Sequence, residues 1–218
     1  LKKVREIHVA VKCAHNPSHA LAFCAEILKQ SENALHYPEA CFVEAGCFKG
    51  GSSAKFSLFT ACLERDLILF DSFEGLPTNQ EEHRTSIEGH SIEGWFEGGN
   101  FCGSLEEVQK NISQFGKKEK VQFVPGWFDK TLPDFSRPIL GAFLDVDLAS
   151  STEICLRHFY PLLVPGGVIV SQDGDFPLVI EVIKDSSKWR GKSDTCPPPI
   201  VEDLGNKITK IRKPSSLS

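Results

Sequence analysis

The chain has no methionine among its 218 residues, an unusual gap for this length. Either its composition is biased, or modified methionines are missing from the sequence and some spacings are short by one residue. It also lacks an apolar run long enough to span a bilayer, and no charged-then-apolar signal peptide opens it. We therefore expect a cytoplasmic protein with no membrane partner.

Paired cysteine motifs are also missing. The eight cysteines include no close C-x-x-C pair, so the usual zinc spacing is absent. Cys41, Cys47, Cys62 and Cys155 lie inside apolar segments. We predict that they are small reduced core residues rather than parts of a disulfide scaffold.

The chain also lacks an excess of basic residues. The net charge is −5 and the isoelectric point is near 5.8. Binding to nucleic acid needs a clustered basic surface, so this balance argues against a nucleic-acid partner. With 41% hydrophobic and 24% charged residues, the chain is an ordinary globular sequence that fits one domain with a small appendage.

Apolar runs of strand length alternate with segments of helical periodicity. The predicted strands are Cys41–Val43, Leu67–Phe70, Val121–Val124, Ile139–Leu144 and Val168–Val170, followed by a terminal pair at Ile200–Val201 and Ile208–Ile211. Capping boxes at Ser104 and Ser150 predict two helix starts. This alternation predicts an α/β fold whose parallel sheet carries helices on both faces.

The sequence before Pro38 has a different character. Apolar residues from His19 to Leu28 indicate a helix, and His36-Tyr37-Pro38 interrupts the pattern. We predict a helical N-terminal extension over residues 1–37, a main domain over 38–213 and a short tail over 214–218.

Two acidic residues follow predicted strands, with a glycine-rich turn between them. Glu44 precedes the turn Gly46 to Gly51, and Asp71 follows the second strand. Ligands of parallel α/β sheets bind beyond the carboxyl ends of the strands. A carboxylate there can bind an ammonium group or accept hydrogen bonds from two ribose hydroxyls. The pair therefore predicts a site for a nucleoside with free ribose hydroxyls.

A long polar segment follows Asp71, from Ser72 to Gly103. It contains His83, His90 and Trp95, and loops of this length are usually functional lids or disordered. The aromatic residues could close over a substrate, or they could anchor an ordered loop.

The motif Phe70-Asp71-Ser72-Phe73-Glu74-Gly75-Leu76-Pro77 resembles a signature of the macrocin O-methyltransferase family. These are class I S-adenosylmethionine-dependent methyltransferases that act on sugar hydroxyls of natural products. The resemblance extends from about Phe42 to Asp173 in the family's order. It includes Val43–Gly46, Gly103–Val108, Gly126–Phe128, Thr131–Pro133, Leu144–Leu148, Tyr160-Pro161 and Pro165–Gly167.

The resemblance implies a Rossmann-like sheet of seven strands, mostly parallel, with an antiparallel C-terminal edge pair. It also implies a cofactor site, with Glu44 and Gly46 near the methionine part and Asp71 on the ribose. Ser72, Phe73, Ser104 and Trp127 would lie around the adenine. The acceptor would be the hydroxyl of a small molecule, with a sugar among the candidates.

The resemblance further implies a magnesium site at Asp145, Gln172 and Asp173. Gln172 departs from the family's two adjacent aspartates, and magnesium accepts neutral oxygens but binds less well with fewer carboxylates. Asp147 could be a ligand instead, or could cap the next helix. The family's catalytic histidine lies after its Leu-Pro, so His83 and His90 are candidate bases, with Asp145 as the other. Both histidines could equally be solvated loop residues.

Two alternatives stay open at this point. The chain could bind the cofactor without catalysing transfer, which Gln172 motivates. It could also be a nicotinamide-dependent oxidoreductase, although the spacing G-x-x-x-G-G differs from the G-x-G-x-x-G of dinucleotide folds. The acceptor and any homo-oligomer are not determined by the sequence.

Overall fold

The computed structural model describes residues 2–13, 16–29, 35–190 and 196–215. Within these residues seven strands form one sheet in the order β3-β2-β1-β4-β5-β7-β6. The strands are β1 (Cys41–Ala45), β2 (Leu67–Asp71), β3 (Val121–Pro125), β4 (Ile139–Leu144), β5 (Leu163–Ser171), β6 (Ile200–Gly205) and β7 (Ile208–Arg212). Strands β1 to β5 pair in parallel, and β7 runs antiparallel to β5 and β6. The predicted sheet and its antiparallel edge are confirmed.

Two helices precede the first strand, and the others lie between strands along the chain. The helices are α1 (Lys2–Ala10), α2 (Pro17–Leu28), α3 (Gly51–Cys62), α4 (Leu105–Phe115), α5 (Phe128–Thr131), α6 (Ala149–Leu162) and α7 (Pro177–Lys184). Two short 3-10 helices cover Leu132–Asp134 and Ser186–Lys188. No helix in the described part of the chain is long and apolar enough to cross a membrane.

Both faces of the sheet are buried, as expected for parallel strands between helices. Side chains alternate along β1, so Val43 joins the core under α6 and α7, while Phe42 joins the core under α1 to α3. The sheet therefore separates two apolar layers, and the carboxyl ends of β1 to β4 meet at one edge.

Helices α1 and α2 are part of the second layer. Phe23 of α2 packs edge-on against Phe56 and Phe143, with ring centroids 5.0 and 5.6 Å apart. A Cβ atom at Gly141 would lie 2.2 Å from Ile27, so only glycine lets α2 pack this closely on β4. The division at residue 37 stays a prediction, and residues 1, 14–15, 30–34 and 216–218 of the predicted extension and tail lie outside the described residues.

Three local predictions are wrong. Pro165-Gly166-Gly167 does not precede the fifth strand but lies within it, because β5 already pairs with β4 at Leu163 and the register shifts along that pair. Ser150 does not cap α6, whose N-cap residue is Leu148, and Leu148 makes no side-chain cap hydrogen bond of its own. Cys62 is exposed at the end of α3 rather than buried, although all eight cysteines are free thiols as predicted.

Candidate active site

The glycine turn after β1 brings two strand ends into close contact. Gly46 has a φ of +85°, and a Cβ atom there would lie only 1.8 Å from the carbonyl oxygen of Asp145. The Gly46 N–H donates to Phe70 O at 3.0 Å, and the Asp145 N–H donates to Ala45 O at 3.0 Å. A side chain at position 46 would force β1 and β4 apart, so glycine is required for this rim.

Asp71 connects the glycine turn to the end of β2. Its carboxylate accepts hydrogen bonds from the backbone N–H groups of Cys47, at 2.6 Å, and Phe73, at 2.7 Å. Burial raises the pKa of Asp71, and these backbone hydrogen bonds oppose that effect. Asp71 therefore shapes the rim and also presents its carboxylate to the cavity described below.

Glu44 is fully buried behind this turn. Neither carboxylate oxygen has a hydrogen-bond partner within the described residues. Burial raises the pKa of Glu44 to about 8, and nearby Asp145 and Asp71 add to the rise. The hydroxyls of Ser52 and Ser53 lie near enough to oppose this rise, but neither makes a hydrogen bond of ordinary geometry to the carboxylate. Unsatisfied buried carboxylate oxygens are costly, so the site fits a ligand that brings a cation or N–H donors to them.

A first cavity opens at the ends of β1 to β4. It is lined by Gly46, Phe48, Asp71, Ser72, Gly75, Leu76, Pro77, Phe101, Gly126, Trp127, Phe128, Asp145, Val146, Asp147 and Ser151. Five of the predicted site residues therefore line this one cavity: Gly46, Asp71, Ser72, Trp127 and Asp145.

Three predicted cofactor residues take other positions, and the first is Glu44, which is buried behind the turn and does not line this cavity. Phe73 is buried in the core, with a φ of +58° that turns its N–H toward Asp71. Ser104 is the N-cap of α4, where its hydroxyl accepts from the Glu107 N–H at 3.2 Å, as its capping box predicted. Neither Phe73 nor Ser104 lines the first cavity.

A second cavity of about 460 Å³ adjoins the first. Its lining includes His19 and the start of α2, Glu88, His90, Trp95 and Phe96 of the long loop, Gln172, Asp175 and Lys207. Phe101 and Asp147 line both cavities. A molecule in the second cavity would therefore meet a molecule in the first beside Asp147.

Three carboxylates gather where the cavities meet. Ligand oxygens of Asp145, Asp147 and Asp173 all lie within 4.8 Å of one another. Burial and then the Asp145 charge raise the pKa of Asp173 to about 8, and burial raises that of Asp147 well above its usual value. Such a group of oxygens fits a hard divalent cation, which would offset their mutual repulsion.

Gln172 bridges this acidic group. Its Nε2 donates to Asp145 Oδ1 at 2.5 Å and to Asp173 Oδ1 at 2.7 Å. Asp173 also accepts from the backbone N–H groups of Val146 and Asp147 at 3.1 and 3.2 Å. Asp173 is therefore largely engaged by the protein, and Asp145 and Asp147 are the more available ligands.

The structure separates the two candidate histidines. The His83 side chain is only 2% exposed, lies 3.0 Å from Glu81 through Nε2 and packs against Phe96 with the rings tilted and their centroids 4.5 Å apart. His83 lines neither of the two adjoining cavities, whereas the exposed His90 lines the second one. The geometry favours an anchoring role for His83 and leaves His90 near a bound acceptor.

Sequence reasoning missed Glu81. Its carboxylate accepts from the N–H groups of Ala149 and Ser150, both at 2.8 Å, and so caps α6 from the long loop. Burial alone would raise the pKa of Glu81, but these hydrogen bonds lower it overall. No local pattern marks such a cap, because 68 residues separate Glu81 from Ala149.

Sequence reasoning also missed the apolar lining. Phe48 and Phe101 pack edge-on with ring centroids 6.1 Å apart and both border the first cavity. A lone aromatic residue in a loop gives no signal that separates a pocket wall from a core residue. The positive φ values of Phe48 and Phe101, 45° and 55°, become visible only in the structure.

Comparison with known proteins decides the family. A family model described as macrocin-O-methyltransferase matches residues 33–199, which is more than half of the chain. The chain belongs to the macrocin O-methyltransferase family. The match spans the glycine turn, Asp71, the long loop and the acidic group.

Two curated relatives of this macrocin O-methyltransferase family member are similar over 70% of the chain. A tetracenomycin-C rhamnosyl 4'-O-methyltransferase of Streptomyces olivaceus is 32% identical over 158 residues. The mycinamicin III 3''-O-methyltransferase of Micromonospora griseorubida is 29% identical over 157 residues. The matched residues span 59% and 62% of those relatives, so the chain covers about three fifths of their length.

Solved structures show the same fold. The O-methyltransferase NovP matches with a TM-score of 0.68 and 22% identity, over 88% of this chain and 79% of that one. The calicheamicin methyltransferase CalS11 matches with a TM-score of 0.64 and 15% identity, over 97% of this chain and 91% of that one. At these identities the likeness establishes the class I methyltransferase fold.

Proposed function

We propose that the protein is an S-adenosylmethionine-dependent O-methyltransferase that acts on a hydroxyl of a small, sugar-containing molecule. The observation that carries the proposal is the pair of adjoining cavities, which share Phe101 and Asp147. The first has the features of a nucleoside site, and the second has room for an acceptor. The relative from Streptomyces olivaceus is named for a rhamnosyl-bearing tetracenomycin, and a further relative, from Streptomyces niveus, is named demethyldecarbamoylnovobiocin O-methyltransferase.

The first cavity would bind the cofactor. Asp71 would accept from the ribose hydroxyls with the lone pairs that Cys47 and Phe73 leave free. Ser72 and Trp127 border the space for the adenine. Gly46 lets the cofactor's methionine part approach the backbone. Glu44 lies behind it, its carboxyl oxygens have no hydrogen-bond partner within the described residues, and an approaching ammonium group would favour its ionised form.

The second cavity would bind the acceptor. Trp95 and Phe96 provide apolar faces, and Glu88 and Asp175 provide hydrogen-bond acceptors for hydroxyl groups. When bound, the cofactor supplies a sulfonium-activated methyl group. The protein would align the acceptor oxygen beside Asp147, enclose it under Phe101 and remove its proton.

Asp145 and His90 are our candidates for the proton acceptor. Asp145 lies at the junction of the cavities and is linked to Gln172 on the acceptor side. His90 borders the acceptor cavity and pairs with Glu88 at 3.8 Å. His83 would contribute by holding Glu81 against the start of α6.

We further propose that a magnesium ion is held at the acidic group. Asp145 and Asp147 would be its main ligands, with Asp173 and the oxygen of Gln172 beside them. The ion would supply a positive charge that orients the acceptor oxygen and favours its deprotonation. Gln172 would have to turn its amide, since its Nε2 faces both carboxylates.

For cellular location, partners and domain organisation we keep the expectations from the sequence. We propose a cytoplasmic enzyme without a nucleic-acid or membrane partner, in which residues 1–37 form an extension to the methyltransferase domain. Asn16 and His19 of that extension border the acceptor cavity, which favours a role in acceptor binding.

A methyl-transfer screen tests the proposal. Full-length protein is incubated with S-adenosylmethionine, magnesium and a panel of glycosylated and non-glycosylated alcohols, while S-adenosylhomocysteine release is followed. We expect turnover with at least one glycoside, and an Asp145→Ala variant that still binds the cofactor but loses turnover. If wild type binds the cofactor and Asp145→Ala turns over as fast as wild type, the catalytic role of Asp145 is wrong. If wild type binds but no acceptor is methylated, a non-catalytic binding protein becomes the better account.

A further inference from the structure

A third cavity adjoins the first at the glycine turn. It has a volume of about 380 Å³ and is lined by Lys12, Phe48, Lys49, Gly99, Asn100, Phe101 and Cys102. Phe48 and Phe101 also line the first cavity, so these two rings border both spaces. The third cavity therefore reaches the turn from the segment that follows α1 and from the end of the long loop.

The two cavities carry opposite charge. The charged side chains that line the first cavity are all carboxylates, Asp71, Asp145 and Asp147. Those that line the third are both ammonium groups, Lys12 and Lys49. A ligand with a positive and a negative group at one end would therefore find a partner for each sign on the two sides of a shared aromatic wall.

Both ammonium groups are arranged around one ring. The Nζ atoms of Lys12 and Lys49 each lie 5.9 Å from the Phe48 ring centroid. Lys49 is fixed from α4, because its Nζ pairs with Glu107 at 2.9 Å and its carbonyl oxygen accepts from Asn111 Nδ2 at 2.8 Å. Lys12 forms no ion pair with any residue that the structure describes, so its charge is the more available of the two.

We propose that Lys12 and Lys49 bind the carboxylate at the amino-acid end of the cofactor. The inference rests on the proposed function, in which that end lies at Gly46 with its ammonium group toward Glu44. An α-amino acid carries its ammonium and carboxylate groups on one carbon atom, so the carboxylate must lie beside the same turn. The acids of the first cavity would repel it there, whereas the two lysines beside Phe48 would attract it.

The proposal gives the segment around α1 a part in cofactor binding. Ile7 and Val11 are buried in the same apolar core as Ala54 of α3, so packing holds Lys12 beside the turn. Without Lys12 the carboxylate would meet only Lys49, whose charge Glu107 already offsets in part. The N-terminal segment would thus complete a site whose other parts lie at the strand ends.

Two ligands that differ only in this carboxylate test the proposal. Calorimetry on the full chain compares S-adenosylhomocysteine with its decarboxylated analogue, which keeps the adenine, the ribose and the amine. We expect wild type to bind S-adenosylhomocysteine about tenfold more tightly than the analogue. Lys12→Gln should reduce this preference to about threefold, and Lys12→Gln with Lys49→Gln to about twofold or less, because the opposite charges are removed. The affinity for the analogue should stay within about twofold of wild type in each variant, which reports an intact site.

Controls and the opposite change sharpen the test. Lys118→Gln removes an exposed positive charge ahead of β3, at the other end of the sheet, and should keep the full preference. Glu107→Gln releases Lys49 and should strengthen S-adenosylhomocysteine binding by about twofold without changing that of the analogue.

The outcomes separate this inference from the proposed function. Equal affinity of wild type for the two ligands, or a double variant that keeps the tenfold preference of wild type, would overturn the carboxylate site and leave the cofactor site standing. An equal loss of affinity for both ligands in the lysine variants would show a merely structural role and would also overturn it. Wild type that binds neither ligand would overturn the proposed function, and this inference with it.

Discussion

The two cavities are built from different kinds of contact. The first is formed by the ends of neighbouring parallel strands, and backbone hydrogen bonds fix its key carboxylate, Asp71. The second is formed where the long loop meets the start of α2 and the hairpin turn at Lys207. Local chain geometry therefore specifies the proposed cofactor side, whereas contacts between distant segments specify the acceptor side.

Side-chain ion pairs connect the segments that line the second cavity. Lys207 pairs with Asp175 at 2.7 Å and with Glu88 at 3.0 Å, and the Ile87 N–H donates to Asp175 O at 2.8 Å. The Lys207 and Glu88 side chains are 39% and 52% exposed, so water screens this attachment. We expect the acceptor side to open more easily than the cofactor side and to tolerate more substitution.

Removal of Asp71 should have the largest effect. Asp71→Ala removes the proposed ribose acceptor and two backbone hydrogen bonds of the glycine turn. We expect cofactor affinity to fall by about 100-fold or more, because charge-assisted hydrogen bonds contribute about 1.5–3 kcal/mol each. Calorimetry with S-adenosylhomocysteine measures the change. Asp134→Ala, at an exposed position on the 3-10 helix, is the matched control and should bind as wild type does.

The acidic group at the junction should show the next largest effect. Gln172→Asp restores the two adjacent aspartates of the family and removes the amide that faces Asp145 and Asp173. We expect magnesium affinity to rise by about tenfold, and Asp147→Asn to lower it by a similar factor. Calorimetric titration with magnesium measures both. Equal affinities for wild type and both variants would exclude this group as the metal site.

Glu44 tests whether the first region holds a buried carboxyl group whose ionisation destabilises the fold. Its pKa is raised to about 8 in the folded protein, from an ordinary value near 4.5. The folded state therefore holds this proton more tightly, so the contribution to stability is complete below pH 4.5 and is lost as pH rises toward 8.

Glu44→Gln mimics the neutral acid, so the loss of stability between pH 5 and pH 8 should shrink. One pKa unit corresponds to about 1.4 kcal/mol, and we expect a difference of about 3–4 kcal/mol between variant and wild type across these three pH units. Urea unfolding at the two pH values measures it. Glu106→Gln, on the exposed start of α4, should follow wild type. Parallel curves for Glu44→Gln and wild type would contradict the assignment.

Removal of Glu81, on the acceptor side, should have the smallest effect and tests whether the two sides respond separately. Glu81→Ala removes the cap of α6 and should cost about 1–2 kcal/mol of stability. We expect the Michaelis constant for the acceptor to rise several-fold while cofactor affinity stays within twofold. Glu82→Ala, a neighbour with an exposed side chain, is the control. A loss of cofactor affinity as large as the rise in the Michaelis constant would show that the cofactor side and the acceptor side are not independent.

The sheet and half of the site could be predicted because their signals are local. The apolar runs, the glycine turn and the carboxylates at strand ends are short patterns with a direct geometric meaning. The motif at Asp71 identified the family, which the comparisons confirm. Ser104 was predicted as a helix cap for the same reason, and the structure confirms that cap.

The acceptor side could not be predicted in this way. Glu81 caps a helix 68 residues later, and His83 is buried against Phe96 by the folding of a loop without regular structure of its own. The capping box at Ser150 failed for a related reason, because α6 begins at Ala149, ahead of Ser150, where Glu81 binds the N–H groups of Ala149 and Ser150. Patterns of neighbouring residues do not contain these long-range pairs.

Calorimetric titration of the intact protein with S-adenosylhomocysteine, with and without magnesium, tests the central claim most directly. The account predicts one binding site per chain with a dissociation constant in the micromolar range, about −8 kcal/mol. It also predicts that NADH does not compete and that Asp71→Ala abolishes the signal. Wild-type protein that binds no S-adenosylhomocysteine under either condition would contradict it.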